Sequence, residues 1–500
     1  MKKKIALLLT LVLTTGTVAY AQPANTQVTI AGETTETEAA TQDELTYLQL
    51  GGWDEAVKAG INAMFDAYGK NSANYDPNCK PYAVFDFDNT ISILDIEEIL
   101  AVYQLNHMRF AIKPDEMLEV LLTGIPEDQI NASLGDDYLA EDGRQLSIGV
   151  VAMDAAAAYQ KLYAAGYVSA DNSNEDLLEE CLATDDWKEF SSKMRWMYDA
   201  IGDRMDTSVS YPWITYWFTG MTPEQVTTLA TESHKFNIEQ GKAGLWMKQK
   251  YTGPENYESI AGPLSISYKY PVGISDELKE LIAALDDNGF DVWICSASFI
   301  DVIKAVADQP ELFGLKGVDG VVAMENKLVD GVYDNDYNYD LHAQTQGIGK
   351  TQTIQKVIMP KYNGHGPVFT AMDSQGDFNF CTEFKDTAVT LILNRQRTDD
   401  AGILAAAAVY QKNAGVDFAT AQALGDTLYV LQGRDENKGI LLPTSACINL
   451  GKDESRVLAP KAEKWYEDLA TGKYSSVGDF INHCVEITGK LKTYDGYKTK

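Results

Sequence analysis

Four short segments of this 500-residue chain hold residues whose types and spacing can do chemistry. In YAVFDFDNT (82–90), an apolar run ends in Asp86 and Asp88, with Thr90 two positions further on. Ser296 follows VWIC, Lys350 follows TQGIG, and Asp373 and Asp377 bound DSQGD after VFTAM. An apolar run that breaks into carboxylates reads as a buried strand with acids at its end. In an open α/β sheet, ligands bind at the carboxyl ends of the strands, so the four segments are expected to meet there.

The set suits phosphoryl transfer. Carboxylates of Asp86 and Asp373, with the Asp88 backbone carbonyl, are the hard oxygens that Mg²⁺ prefers. Asp86 can attack phosphorus to give an aspartyl-phosphate. Asp88 can protonate the leaving alcohol and then activate water. Ser296 and Lys350 can hold the phosphoryl oxygens and offset their charge, with Thr90 and Asp377 supporting from behind. Each residue alone has a plainer reading: Asp is common at strand ends, Ser296 suits a helix N-cap, and Lys350 suits a solvated helix face. The argument lies in the conjunction of four elements, in one order, each at the right end of its strand or helix.

The elements that must position these residues can be read from periodicity. Val57, Ile61, Met64, Phe65 and Tyr68 recur at helical spacing between Asp54 and Tyr68. Strands are expected at 82–87, 290–295, 368–372 and 388–393, and helices from about Asp95, over 275–286 and over 348–360. KLVDGVY (327–333) is a hairpin signal built on Asp330-Gly331. Strands alternating with amphipathic helices predict an α/β fold with a mainly parallel sheet. Residues 101–270 differ: helical patterns and aromatic clusters, such as YPWITYWF (211–218), interrupt the alternation. After residue 400, AGILAAAAVYQ reads as a helix and DTLYVLQGRDENKGILLP as strand, turn and strand.

The formal net charge of −32 disfavours nucleic acid and anionic membrane as partners. Lys2, Lys3 and Lys4, the apolar run from Ile5 to Leu13 and the small-x-small Ala19-Tyr20-Ala21 read as a bacterial export signal. Cleavage near Gln22 is expected to leave a secreted or periplasmic chain without a membrane anchor. Residues 22–45, rich in Thr, Glu, Ala and Gln, read as a flexible tether. Six cysteines without a CxxC pair make no disulfide scaffold, and Cys295 reads as a buried thiol. The five histidines lack the spacing of a zinc site.

The pattern resembles the haloacid dehalogenase-like (HAD) hydrolase superfamily. FDFDNT looks like its first motif, WICSAS its second, Lys350 its third and DSQGD its fourth, over roughly residues 80–100 and 285–395. Met372 stands where the fourth motif usually has Gly. The resemblance implies a Rossmann-like core, Mg²⁺ dependence and a cap inserted between motifs one and two. The implied organisation is signal peptide 1–21, tether 22–45, core 46–100, helical cap 101–270, core 271–400, and an extension 401–500 packed on the core. An acid at Asp88 is typical of the superfamily's phosphatases and phosphomutases, not of its dehalogenases. A closer similarity is to secreted phosphorylcholine phosphatases and phosphoserine phosphatase-like members. It is carried by YAVFDFDNT with Asp95, Glu97 and Glu98 after it, by YPWITYWFTGMT, and by WICSASFIDVIKAVA. It implies a small phosphomonoester as partner, with a leaving group that can be cationic. Aromatic faces and carboxylates hold such a cation, and Tyr211, Trp213, Tyr216 and Trp217 with Asp95, Glu97 and Glu98 are the candidates. Core packing of these aromatics is the plainer reading. A phosphotransferase of the same fold, and a secreted protein that captures choline-like or phosphorylated ligands without turnover, are the alternatives. Nothing in the sequence sets an oligomeric state.

Overall fold

A computed structural model describes residues 45–140 and 142–488. The expected export signal lies outside the described residues, as does all but the last residue of the expected tether. Six parallel strands form the centre of the main sheet. In spatial order they are Gly320–Met324, Asp291–Phe299, Tyr82–Phe85, Phe369–Met372, Val389–Leu393 and Leu428–Asp435. Three short strands, Ile440–Leu442, Cys447–Ile448 and Ser455–Arg456, extend its far edge.

Tyr82–Phe85 is flanked on both sides, and all four of its residues are buried. That explains an uninterrupted apolar run where a half-exposed strand would alternate. Its side chains still alternate between two cores. Ala83 and Phe85 join one with Phe369, Ala371, Val389 and Leu391, and Tyr82 and Val84 join the other with Met372 and Ile392. Helices Glu55–Tyr68 and Asp276–Asp287 contribute to the first core, and Asp400–Asn413 and the 348–362 helical segment to the second.

The helix starts follow cap chemistry. Asp54, Asp95 and Ser275 each accept a bond from a backbone N–H of the first turn they precede. At the expected hairpin, Asn326–Val329 pairs with Val332–Tyr337, and Asp330 and Gly331 both take positive φ, the condition for a tight primed turn.

Between residues 94 and 273 the chain leaves the sheet. It departs and returns side by side, Ser92–Ile93 pairing with Gly273–Ile274. The excursion holds the helices Ile96–His107, Ile148–Ala164, Asp185–Arg204 and Pro223–Lys242. It also holds an antiparallel pair, Met247–Thr252 with Ser265–Tyr270. The last segment does more than pack on the core, since Leu428–Asp435 is itself a sheet strand, parallel to Val389–Leu393. Among the described residues no helix is long and apolar enough to cross a membrane, and Cys79, Cys181, Cys295, Cys381 and Cys447 are free thiols.

Candidate active site

Parallel pairing brings the chemical residues together. Phe85 lies opposite Ala371. The next N–H, that of Asp86, donates to the Ala371 carbonyl (3.1 Å), so Asp86 and Asp373 emerge at neighbouring strand ends. Lys350 enters from the start of the helix Ile348–Thr353. Its Nζ donates to Asp86 Oδ1 and to Asp377 Oδ1, both at 2.6 Å. Thr90 Oγ1 donates to Asp86 Oδ2 (3.0 Å) and reaches Asp373 Oδ1 at 3.5 Å. Asp377 Oδ2 in turn accepts from the N–H groups of Asp373 and Ser374.

Asp88 is held differently. Its Oδ1 accepts from the Ile96 N–H (2.6 Å), the first residue of the following helix, and its Oδ2 accepts from Ser298 Oγ (2.5 Å). This places the second acid beside the nucleophile candidate but apart from the Lys350 contacts. Between them the loop turns tightly: the N–H groups of Thr90, Ile91 and Ser92 all donate to the Phe87 carbonyl, and Asn89 takes a left-handed conformation (φ 60°).

Burial sets the electrostatics. Desolvation, then the charge of Asp377, pushes Asp86 well above the usual carboxylate range against the pull of Lys350. Desolvation opposes the charge on Lys350, but Asp377 and Asp86 outweigh it and hold its pKa well above the ordinary value. Asp88 is raised to about 7, first by burial and then by Asp86, although the Ser298 and Ile96 bonds pull it down. That range suits a group that gives and takes a proton near neutrality.

Asp86, Asp373 and Asp377 bring ligand oxygens within 4.8 Å of one another, all buried. Such a set of hard carboxylate oxygens fits Mg²⁺. All three already have partners: Lys350 and Thr90 on Asp86, Arg395 on Asp373, and Lys350 with two backbone N–H groups on Asp377. The Asp88 carboxylate stands outside this cluster, so its part in holding a metal is left to its backbone carbonyl.

A cavity of about 780 Å³ opens above these groups, lined by Asp86, Asp88, Lys350, Asp373 and Asp377 on one side and by the inserted segment on the other. Asp95, Glu97 and Tyr211 line it as the sequence suggests. Three expectations are corrected. Trp213 and Trp217 are buried and do not line the cavity: they pack edge-on against each other, and Trp213 Nε1 donates to the Leu121 carbonyl. Tyr216 is likewise core, while Tyr138 and Tyr198 are the further aromatics that do line the cavity. Glu98 pairs with Arg195 instead of facing this cavity. Ser296 is fully buried and caps no helix; its Oγ accepts from the Ser298 N–H and lies 3.4 Å from Asp88. The cavity is lined instead by Ala297 and Ser298, because the strand runs on to Phe299 with an irregular register after Cys295.

Sequence reasoning also missed Arg395, which lines the cavity and pairs with Asp373 Oδ2. It stands two residues past the strand Val389–Leu393, so the same strand-end rule points to it. The acids Asp137, Asp199 and Asp203, from the inserted segment, were missed as well.

No family model matches the chain, and no curated protein does. Solved structures do. A conserved protein of unknown function from Anaerococcus prevotii is 26% identical, over 81% of this chain and 99% of that one, with a TM-score of 0.68. A HAD-family hydrolase from Salmonella enterica serovar Typhi is 9% identical over 62% of each chain, with a TM-score of 0.29. A substrate-bound phosphoserine phosphatase is 11% identical, over 63% of this chain and 86% of that one, with a TM-score of 0.27. The first of these shares the fold of this chain, and the other two overlap it too weakly to carry an argument. At such TM-scores the reading of its site rests on its own motifs and on their convergence.

Proposed function

We propose that this chain, which gathers the haloacid dehalogenase-like motifs into one buried site, is an exported Mg²⁺-dependent phosphatase of small phosphomonoesters. One observation carries the reading. Asp86, Asp88, Lys350 and Asp373, from three separate segments, converge near the carboxyl ends of parallel strands under one cavity.

Asp86 is the nucleophile: its Oδ2 attacks phosphorus while Lys350 holds Oδ1 and offsets the charge on the phosphoryl oxygens. The phosphorus–oxygen bond to the alcohol breaks, and Asp88, protonated near neutral pH, gives its proton to the leaving oxygen. Asp88 then takes a proton from the water that cleaves the aspartyl-phosphate, returning both acids to their starting states. Ser298 and the Ile96 N–H fix the Asp88 carboxyl through both steps. Asp86 and Asp373 would hold Mg²⁺, which when bound neutralises phosphoryl charge as a Lewis acid.

The leaving group is read from the far wall. Asp95, Glu97, Asp137, Asp199 and Asp203 with Tyr138, Tyr198 and Tyr211 suit a cationic alcohol such as choline. The test is phosphate release from phosphocholine, phosphoethanolamine, phosphoserine, a sugar phosphate and p-nitrophenyl phosphate, with Mg²⁺ or a chelator. Metal-dependent release, greatest with phosphocholine, is expected. Release from none of the five by folded protein would sink the proposal.

A further inference from the structure

The residues after 400 carry none of the four motifs, yet they hold both loops on which the site depends. Arg434 lies in the strand Leu428–Asp435 and is 1% exposed. Its Nη1 donates to the Asn89 carbonyl (2.7 Å), and its Nη2 to Asn89 Oδ1 (3.2 Å) and Glu436 Oε1 (2.5 Å). Asn89 is the left-handed residue that directly follows Asp88, so this guanidinium grips the motif-one loop at its tightest bend. Glu436 is fixed in turn: its Oε2 accepts from the Leu450 N–H (3.0 Å) and from Lys269 Nζ (3.3 Å), on a strand of the inserted segment. Desolvation acts against the Glu436 charge, but Arg434, Lys269 and Arg395 outweigh it and hold the carboxyl well below its ordinary range.

The second loop carries Arg395, the partner of Asp373. Asn394 Nδ2 donates to the Ser445 carbonyl (2.6 Å) and the Val457 carbonyl (2.7 Å), and its N–H to the Gln432 carbonyl (2.8 Å). Gln396 Nε2 donates to the Cys447 carbonyl (2.6 Å). Gln396 has φ 56°, so the loop keeps a conformation that local preference does not favour.

We propose that the C-terminal extension is a working part of the active site, with Arg434 the positioning residue for the Asp86–Asp88 loop and Cys447, whose carbonyl accepts from Gln396, the anchor of the Arg395 loop. Arg434 uses a planar fork to hold a carbonyl, a side-chain amide and a carboxylate together. Lysine keeps the charge opposite Glu436 but lacks the fork.

The test compares Arg434→Lys, Arg434→Gln and Gln396→Ala with the wild-type chain by melting temperature, by kcat and KM, and by amide hydrogen exchange over residues 87–95 and 394–398. Only the kinetic arm rests on the phosphatase reading. Arg434→Lys is expected to melt near wild type while kcat falls about 10- to 100-fold at unchanged KM, with faster exchange over 87–95. Gln396→Ala is expected to speed exchange over 394–398 and lower kcat. Wild-type exchange and kcat in Arg434→Lys and Gln396→Ala would overturn the proposal. If Arg434→Lys does not fold, Gln396→Ala decides it. If wild type releases no phosphate, the phosphatase reading fails, and exchange in the variants still decides the brace.

Discussion

Replacing Lys350 with methionine keeps an unbranched side chain one atom shorter and removes its charge. In the native site Nζ sits 2.6 Å from an oxygen of Asp86 and of Asp377, and the side chain is 1% exposed. Two consequences can be sized. Leaving buried carboxylates without their cation costs about 3–5 kcal/mol, unless one of them takes up a proton. The uptake would fall on Asp86, already raised by burial and Asp377 against the pull of Lys350. A protonated Asp86 is no nucleophile, and the positive charge facing the phosphoryl oxygens is also gone. Losing one such electrostatic stabiliser costs about 10²–10³ in kcat. The assay is phosphate release by wild type and Lys350→Met at saturating ester, with a urea melt of each to show what fraction is folded. A fall of at least about 100-fold in kcat per folded molecule is expected. A folded variant with half the wild-type kcat would refute the role given to Lys350.

Ser298→Ala removes a hydrogen bond to the Asp88 carboxyl, so kcat should fall about 10-fold while Ser296→Ala changes it less; equal effects in a kinetic assay would contradict the cavity geometry. Trp217→Ala should cost about 3–5 kcal/mol in a urea melt and leave KM unchanged, because this ring is core. Tyr198→Ala should do the reverse for a cationic ester, and a Trp217→Ala variant with raised KM would restore the aromatic-cage reading of the indoles. Burial lowers His234 to about 4, so above pH 6.5 neither folded nor unfolded chain binds its proton and stability is full. As pH falls from 6.5 towards 4 the unfolded chain protonates first, and about 3 kcal/mol is lost. Melts at pH 7 and pH 5 should show a steeper loss in wild type than in His234→Gln, and parallel losses would count against it.

The sequence was informative where one local rule decides an outcome. Strand ends put Asp86 and Asp373 at one site, where a helix start delivers Lys350, and Asp54, Asp95 and Ser275 mark helix starts because each can accept an orphan N–H. It was less informative where tertiary packing decides. Ser298 faces the cavity because the strand continues past Cys295 with shifted register, which VWICSAS does not reveal. YPWITYWF announces burial but not which ring meets a cavity: Tyr211 does, and Trp213 and Trp217 do not. The strand Met247–Thr252 escapes notice because MKQKYT is mostly exposed and lacks alternation. The place of Leu428–Asp435 in the main sheet, and of Arg434 on Asn89, depends on a parallel pairing that no local signal encodes.

The most direct measurement is acid quenching of the reacting protein with a phosphomonoester, followed by mass mapping of the phosphorylated peptide. The account predicts a phosphoryl group on Asp86, formed within the burst of turnover and absent from Asp86→Asn. Turnover without a phosphorylated Asp86, or an Asp86→Asn protein that turns over like wild type, would contradict it.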